Sequence, residues 1–203
     1  MRFLYNIEER EGVEYVVLKV IENDLEGKGC VVPERRRGEN YKVIMGAIEE
    51  YRKEVEKASI QDIYVLPEKL EMSFPNHPKV IFAITMAMVE LFSKMNDFPI
   101  EKLFPKIFTP EEIDEGIVDE GTVICNGERY PLLEDMKCLS LYDKIAVQLE
   151  YIGNPFRAYH ILRSLTDLGL DILGVFRNYP GDEMKEAMGV LKGLFKKYVV
   201  LSW

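Results

Sequence analysis

The sequence has little of the residue types that define several protein classes. Its 203 residues include three cysteines, two histidines and one tryptophan, and no apolar run reaches the ~18 residues of a membrane span. Three cysteines are too few for a small disulfide scaffold. Basic residues number 26 against 35 acidic ones, and the net charge of −9 disfavours broad nucleic-acid binding because phosphate is repelled. We therefore predict a globular protein without membrane contact.

The motifs that hold metal ions and cofactors are also missing. Cys30, Cys125 and Cys138 are far apart and remote from both histidines, whereas zinc and iron–sulfur sites pair their ligands at close spacing. The Gly-Lys-Gly segment 27–29 lacks the frame of a phosphate-binding loop and leads into a predicted strand. We predict no cofactor and no metal, and we interpret the cysteines as small buried hydrophobic residues.

The residues that are abundant favour a stable cytoplasmic protein. Hydrophobic residues make up 47% of the chain, which is enough for a folded core. Gln61 and Gln148 are the only glutamines, while glutamate, lysine and arginine are frequent, a pattern typical of thermophilic proteins. The first residues lack the apolar stretch of a signal peptide, so we expect a cytoplasmic location.

The first 75 residues predict a mixed α/β unit. Apolar alternation over 3–7 and the β-branched run 15–21 predict two paired strands, and 30–32 predicts a short third strand. Apolar residues at helical spacing over 43–55 predict a helix. The run Asp62–Leu66 then predicts a buried strand, giving the order β-β-β-α-β.

The rest of the chain predicts mainly helices. Val80–Phe92 is almost wholly apolar, which indicates a buried helix. Asn126-Gly127 predicts a two-residue hairpin between short strands, and Thr109-Pro110 resembles a helix start. Further helices are predicted at about 139–151, 156–168 and 183–197, with a closing strand over 198–201.

These elements predict an α+β fold in one or two domains. The fold class is an N-terminal β-β-β-α-β unit followed by a mainly helical part with one small β-hairpin. We place an N-terminal unit at 1–75 and a C-terminal part at 76–203, and the same elements are compatible with one continuous domain.

The β-β-β-α-β order is similar to the opening of ribonuclease-H-like domains. That resemblance implies carboxylates on the first strand, in the helix and after the fourth strand, which together hold two divalent cations for phosphodiester hydrolysis. At these places the sequence has Asn6 and Glu8, then Lys42, then Glu68. The strand aspartate of the family is missing, so the resemblance implies a degenerate carboxylate site.

Two basic segments are candidate anion-binding sites. Arg35, Arg36 and Arg37 precede a predicted helix N-terminus, where the helix dipole favours anions. The second segment lies on the helix that Asn154-Pro155 begins. Arg157 and His160 share one face of that helix, Arg163 follows, and a histidine can act as an acid or a base near neutral pH.

Three functional hypotheses follow from these features. We favour a non-enzymatic cytoplasmic protein that acts through self-association or a protein partner, because no catalytic motif is complete and large apolar side chains are frequent. The second hypothesis is a ribonuclease-H-like protein that acts on nucleic acid. The third is a binder of small anions, or an enzyme, that uses the Arg157/His160 helix.

Overall fold

The computed structural model describes residues 1–34, 38–114, 116–119, 121–133 and 142–201. The chain begins with an antiparallel sheet of three strands in the order β1-β2-β3. Positive φ angles at Glu11 and Gly12, and again at Asn23 and Asp24, form the two tight turns between them. The three predicted strands are confirmed. Their bounds are β1 (Arg2–Arg10), β2 (Val13–Glu22) and β3 (Leu25–Val31).

Helices, and not a fourth strand, follow this sheet. The prediction of a strand over Asp62–Leu66 is wrong, because Ser59 and Asp62 form a reciprocal capping box that begins a short 3-10 helix. Pro67 then lies in the first turn of the next helix, where its missing N–H costs nothing. The ribonuclease-H-like topology is therefore absent. The helices are α1 (Tyr41–Lys57), the 3-10 helix (Ile60–Tyr64), α2 (Leu66–Ser73) and α3 (Pro78–Asn96).

Helix α3 is the centre of the hydrophobic core. Its residues from Lys79 to Val89 are all buried, as the apolar run predicted, and one face packs on β3. Gly27 and Gly29 allow this approach, because a Cβ atom on Gly29 would lie 2.1 Å from the Ala83 carbonyl oxygen. Within the described residues, no helix is long and apolar enough to cross a membrane.

The second half of the chain forms a seven-stranded sheet in the order β4-β10-β9-β8-β7-β6-β5. The five strands from β7 to β4 along this order run parallel, while β6 and β5 continue as an antiparallel hairpin. The two edge strands are consecutive in sequence, and Gly116 of β5 lies against Val199 of β10, so the sheet curls into a nearly closed barrel. The strands are β4 (Glu111–Ile113), β5 (Gly116–Asp119), β6 (Thr122–Cys125), β7 (Glu128–Leu133), β8 (Lys144–Gln148), β9 (Asp171–Arg177) and β10 (Lys197–Leu201).

The prediction of a mainly helical C-terminal part is wrong. Residues 144–148, expected in a helix, form β8 at the centre of the sheet, because a short apolar run buried on both faces does not distinguish a strand from a helix. The helix start at Thr109-Pro110 is replaced by β4, which pairs with β10. The Asn126-Gly127 hairpin and the closing strand are confirmed. The remaining helices of the described residues are α4 (Ile100–Leu103), a 3-10 helix (Leu149–Tyr151), α5 (Pro155–Thr166) and α6 (Lys185–Lys192).

The barrel interior is layered along the strand direction. Apolar side chains from four strands form its middle: Val123, Ala146, Leu173, Val175 and Val199. At the amino ends of the strands Lys197 donates to Tyr130 and to Asp171, over 2.5 and 2.7 Å. The same alternation brings polar side chains to the carboxyl ends of β8 and β9.

Arg52 of α1 contacts the N-terminal sheet. We expect its ion pair with Glu49 to be sensitive to acid. Its guanidinium donates twice to Glu49 and once to the Phe3 carbonyl oxygen, and Tyr5 also donates to Glu49. Hydrogen bonds from Arg52, then from Tyr5, lower the pKa of Glu49 from 4.5 to about 2. A depressed folded-state pKa stabilises the protein above pH 4.5, and that contribution is lost as the pH falls toward 2.

We expect Glu49→Gln to reduce the loss of stability between pH 6 and pH 3. Because the Glu49 side chain is 49% exposed, solvent screening limits the effect to about 1 kcal/mol or less. Urea unfolding at both pH values measures it, with Glu50→Gln on the exposed side of α1 as the control. Equal losses in wild type and Glu49→Gln would contradict this assignment.

Candidate functional site

A group of polar side chains is enclosed where the N-terminal unit meets the carboxyl ends of β8 and β9. Gln148 is the last residue of β8, and Arg177 is the last residue of β9. Side chains alternate between the two faces along a strand, so both lie on the face that carries Ala146 and Val175. Glu34 reaches them from the segment after β3. We call the whole group the interface cluster; it comprises Glu34, Gln148, Glu150, Tyr151, Arg177 and Tyr179.

Glu150 is the buried acid of the interface cluster. Glu150 is 5% exposed and Gln148 is 2% exposed. The side-chain amide of Gln148 donates an N–H to Oε1 of Glu150. The Tyr179 hydroxyl donates to Oε2 over 2.5 Å. Burial, followed by the charge of Glu150, raises the pKa of Tyr179 well above 10, so the phenol stays protonated and remains a donor. These two donors fix the orientation of the carboxylate.

Glu34 connects the N-terminal unit to the barrel. Its carboxylate accepts hydrogen bonds from the Tyr151 hydroxyl and from Arg177, the latter over 3.2 Å. Tyr151 follows β8, and Arg177 is the last residue of β9. Glu34 lies 143 positions before Arg177 in the chain. Because both side chains are largely buried, water screens the attraction between the charges of Arg177 and Glu34 only weakly. The cluster therefore combines two acids, one guanidinium and two phenols in a small enclosed volume.

Cys30 of β3 lies near the interface cluster. Its N–H donates to the Met184 sulfur, in the segment that follows β9. Burial raises the pKa of the Cys30 thiol well above 9, and the nearby charges of Glu183 and Glu150 add to this effect. A thiol that stays protonated is a poor nucleophile, so Cys30 is a packing residue. Cys125 is also buried, and Cys138 lies outside the described residues.

A cleft of about 220 Å³ lies in the N-terminal half of the chain, and none of the residues that line it belongs to the interface cluster. It opens between the N-terminal ends of α1 and α3, with Val31 and Val80 among its apolar walls. Its charged side chains are Glu39 and Lys79, which also form an ion pair over 3.0 Å.

The predicted anion site on α5 does not belong to this cluster. Arg157 donates to Glu71 of α2 over 2.8 Å, as an ordinary ion pair between two surface helices. His160 and Arg163 are exposed on α5, and the His160 ring contacts Tyr159 edge-on. Arg35, Arg36 and Arg37 lie outside the described residues. Anion binding at these positions stays a prediction.

Sequence reasoning missed every member of the interface cluster. One signal was present: Asp171, Leu173, Val175 and Arg177 alternate with a charged residue at each end, as in a barrel strand with one face inward. The segment 144–148 has a similar alternation, with the charged Lys144 at one end and the polar, uncharged Gln148 at the other. The contact of Glu34 with Arg177 had no local signal.

The residues that the structure describes do not present a metal centre. Among them, no three histidine, cysteine, aspartate or glutamate side chains are arranged to hold an ion. The acids of the interface cluster are instead engaged by tyrosine, glutamine and arginine donors.

No family model and no curated protein matches the sequence, but 41 solved chains match the fold. An enolase family member from Agrobacterium tumefaciens, with homology to dipeptide epimerases and with bound sodium and L-Ala-L-Glu, has a TM-score of 0.65 at 14% identity. The match covers 98% of this chain and 90% of that one.

Two further matches are dipeptide epimerases. The enzyme from Methylococcus capsulatus, complexed with Mg ion, has a TM-score of 0.47 at 20% identity, with 95% of this chain and 56% of that chain covered. The Enterococcus faecalis enzyme has a TM-score of 0.48 at 13% identity, with 95% and 56% covered. This chain therefore spans about half the length of these two enzymes.

These matches correct the functional prediction. Our hypothesis of a non-enzymatic protein that acts by association is contradicted by the fold that the chain shares with the Agrobacterium tumefaciens protein, which is an enolase family member with homology to dipeptide epimerases. The ribonuclease-H-like alternative lacks its predicted fourth strand, while anion binding at Arg157 and His160 stays a prediction. The curled sheet beyond the N-terminal unit resembles the barrel of the enolase superfamily.

Proposed function

We propose that this chain is an enzyme that removes and returns a proton at a carbon atom of a small, carboxylate-bearing molecule. The reaction takes place at the interface cluster. The fold of the Agrobacterium tumefaciens protein, which binds L-Ala-L-Glu, supports the class of molecule. A dipeptide carries carboxylates and has C–H bonds next to carbonyl groups, which are the bonds that an epimerase must break and remake.

The observation that carries the proposal is the position of Glu150. It is a buried carboxylate just beyond the carboxyl end of β8, and enzymes with parallel barrels place their catalytic groups at this end of the strands. A carboxylate that is withdrawn from water and held by Gln148 and Tyr179 is suited to act as a general base. Glu150 therefore takes the proton.

Arg177 supplies the positive charge for the substrate. A guanidinium presents a planar fork that matches a carboxylate, and its charge is permanent. Glu34 already holds one side of Arg177, which fixes the direction of the fork. The substrate carboxylate binds beside this pair, with its C–H bond toward Glu150.

Enolase-superfamily sites usually stabilise the deprotonated substrate with Mg²⁺. The described residues do not fit such an ion, because they contain no group of three suitable ligands. The roles assigned to Glu150, Arg177 and Tyr179 do not depend on a metal.

Solvent exchange tests the proposal directly. The protein is incubated in D2O with L-Ala-L-Glu, with N-acetyl-L-glutamate and with mandelate, each with added Mg²⁺ and with EDTA, and proton NMR follows the Cα–H signals. We expect protein-dependent loss of one such signal as deuterium replaces hydrogen. Heat-unfolded protein is the control. No exchange beyond that control for any compound, in either condition, would refute the proposed function.

A further inference from the structure

Lys79 is a buried lysine whose contacts lead to the interface cluster. It lies in the first turn of α3 and is 5% exposed. Its ammonium donates to the Val32 carbonyl oxygen over 2.8 Å and to Oε2 of Glu39 over 3.0 Å. A buried ammonium is stable only when its donors are matched in this way. Lys79 therefore binds both ends of the segment that begins after β3.

Glu39 links Lys79 to Glu34 by hydrogen bonds. The same oxygen, Oε2 of Glu39, accepts the Glu34 N–H over 3.0 Å, and the Glu39 N–H donates to the Glu34 carbonyl oxygen over 3.3 Å. These two hydrogen bonds join Glu39 to Glu34 and hold the backbone of Glu34. The position of the Glu34 carboxylate on Tyr151 and Arg177 follows from that backbone.

A second contact brings Lys79 to the barrel side of the cluster. Its Nζ lies 5.5 Å from the centre of the Tyr151 ring, a cation–π contact that gains strength where water is excluded. Lys79 thus acts on Glu34 through Glu39 and on Tyr151 through its ring.

We infer that Lys79 is a positioning residue for the reaction: it holds Glu34 through Glu39 so that Arg177 and Tyr151 are oriented for the substrate. This role rests on the proposed function. Lys79 donates no hydrogen bond to Glu34, so its effect on that carboxylate passes through Glu39. The ammonium of Lys79 contacts Val32, Glu39 and the ring of Tyr151, which follows β8.

Lys79→Met keeps the apolar stem and removes the ammonium. We expect kcat for deuterium exchange to fall by about 10- to 100-fold, because small displacements of orienting groups have effects of this size. KM should change by less than about 3-fold if orientation, and not substrate affinity, is lost. Lys94→Met is the matched control, since Lys94 also lies on α3 and also donates to a glutamate and to a backbone carbonyl of the sheet, away from the cluster.

A double-mutant cycle separates positioning from a general structural role. If Lys79 acts through Glu34, Lys79→Met combined with Glu34→Gln should reduce kcat no more than Glu34→Gln alone. Additive losses would overturn the inference. Should Lys79→Met fail to fold, Glu39→Gln takes its place in the same cycle, because it leaves the buried ammonium and removes only the carboxylate that links it to Glu34.

The inference and the proposed function fail in different ways. If wild type exchanges no substrate, the proposed function is refuted, and the role of Lys79 is measured from hydrogen exchange of the Glu34 and Glu39 amides by NMR. Faster exchange in Lys79→Met than in Lys94→Met supports the link from Lys79 to Glu34. Equal exchange in the two variants overturns it.

Discussion

Replacing Glu150 by glutamine should abolish most of the proton transfer while leaving the fold intact. The two side chains have the same shape, but the amide cannot take a proton at neutral pH. General bases contribute about 10²- to 10⁴-fold to rate, so we expect kcat for deuterium exchange to fall by that factor. The NMR assay in D2O measures the loss.

The controls for Glu150 come from its own partners. Tyr179→Phe removes one donor to the carboxylate but leaves the base, so its effect should be smaller than that of Glu150→Gln. Glu71→Gln changes a surface acid that pairs with Arg157 and should leave exchange at the wild-type rate. If Glu150→Gln exchanges substrate as fast as wild type, Glu150 is not the base.

Replacing Gly29 by alanine should destabilise the protein severely. The new Cβ would lie 2.1 Å from the carbonyl oxygen of Ala83 and 2.8 Å from its carbonyl carbon, and both are backbone atoms of α3 that cannot rotate away. The sheet must therefore separate from the helix at the centre of the core. We expect a loss of about 3 kcal/mol or more in the free energy of unfolding, at the upper end of overpacking effects.

The same substitution at Gly46 should have the opposite sign. Gly46 lies in the exposed middle of α1, and a Cβ atom there meets no other atom within 4 Å. Alanine has the higher helix propensity, so Gly46→Ala should stabilise the protein by about 0.5–1 kcal/mol. Urea unfolding of both variants measures the contrast. A Gly29→Ala variant as stable as wild type would contradict the packing of β3 on α3.

The predictions that held were those with strong local causes. The Asn126-Gly127 turn requires two positive φ angles, which these residues adopt at little cost, and both angles are observed. Residues 80–92 are apolar on nearly every side of the helix, a pattern that predicts a buried helix. The structure confirms that α3 is buried.

The predictions that failed had local signals that longer-range pairing overrode. Thr109-Pro110 carries the features of a helix start, yet the next residues pair with β10 and complete the sheet. The apolar residues 145–147 fit either a helix or a central strand, and only their neighbours β7 and β9 decide between the two. The interface cluster was harder to predict, since its members lie far apart in the chain: Glu34 and Arg177 are separated by 143 positions.

The span between Glu34 and Arg177 bears on the order of folding. These residues are separated by 143 positions, so at a translation rate of about 5–20 residues per second roughly 7–30 s pass between the synthesis of one and the synthesis of the other. During that interval β1–β3 can already collapse onto α1 and α3, because those contacts are closer in the chain. In the nascent N-terminal unit, Glu34 therefore lacks its Arg177 contact until β9 is made, and Cys30 lacks its Met184 contact until the segment after β9 follows.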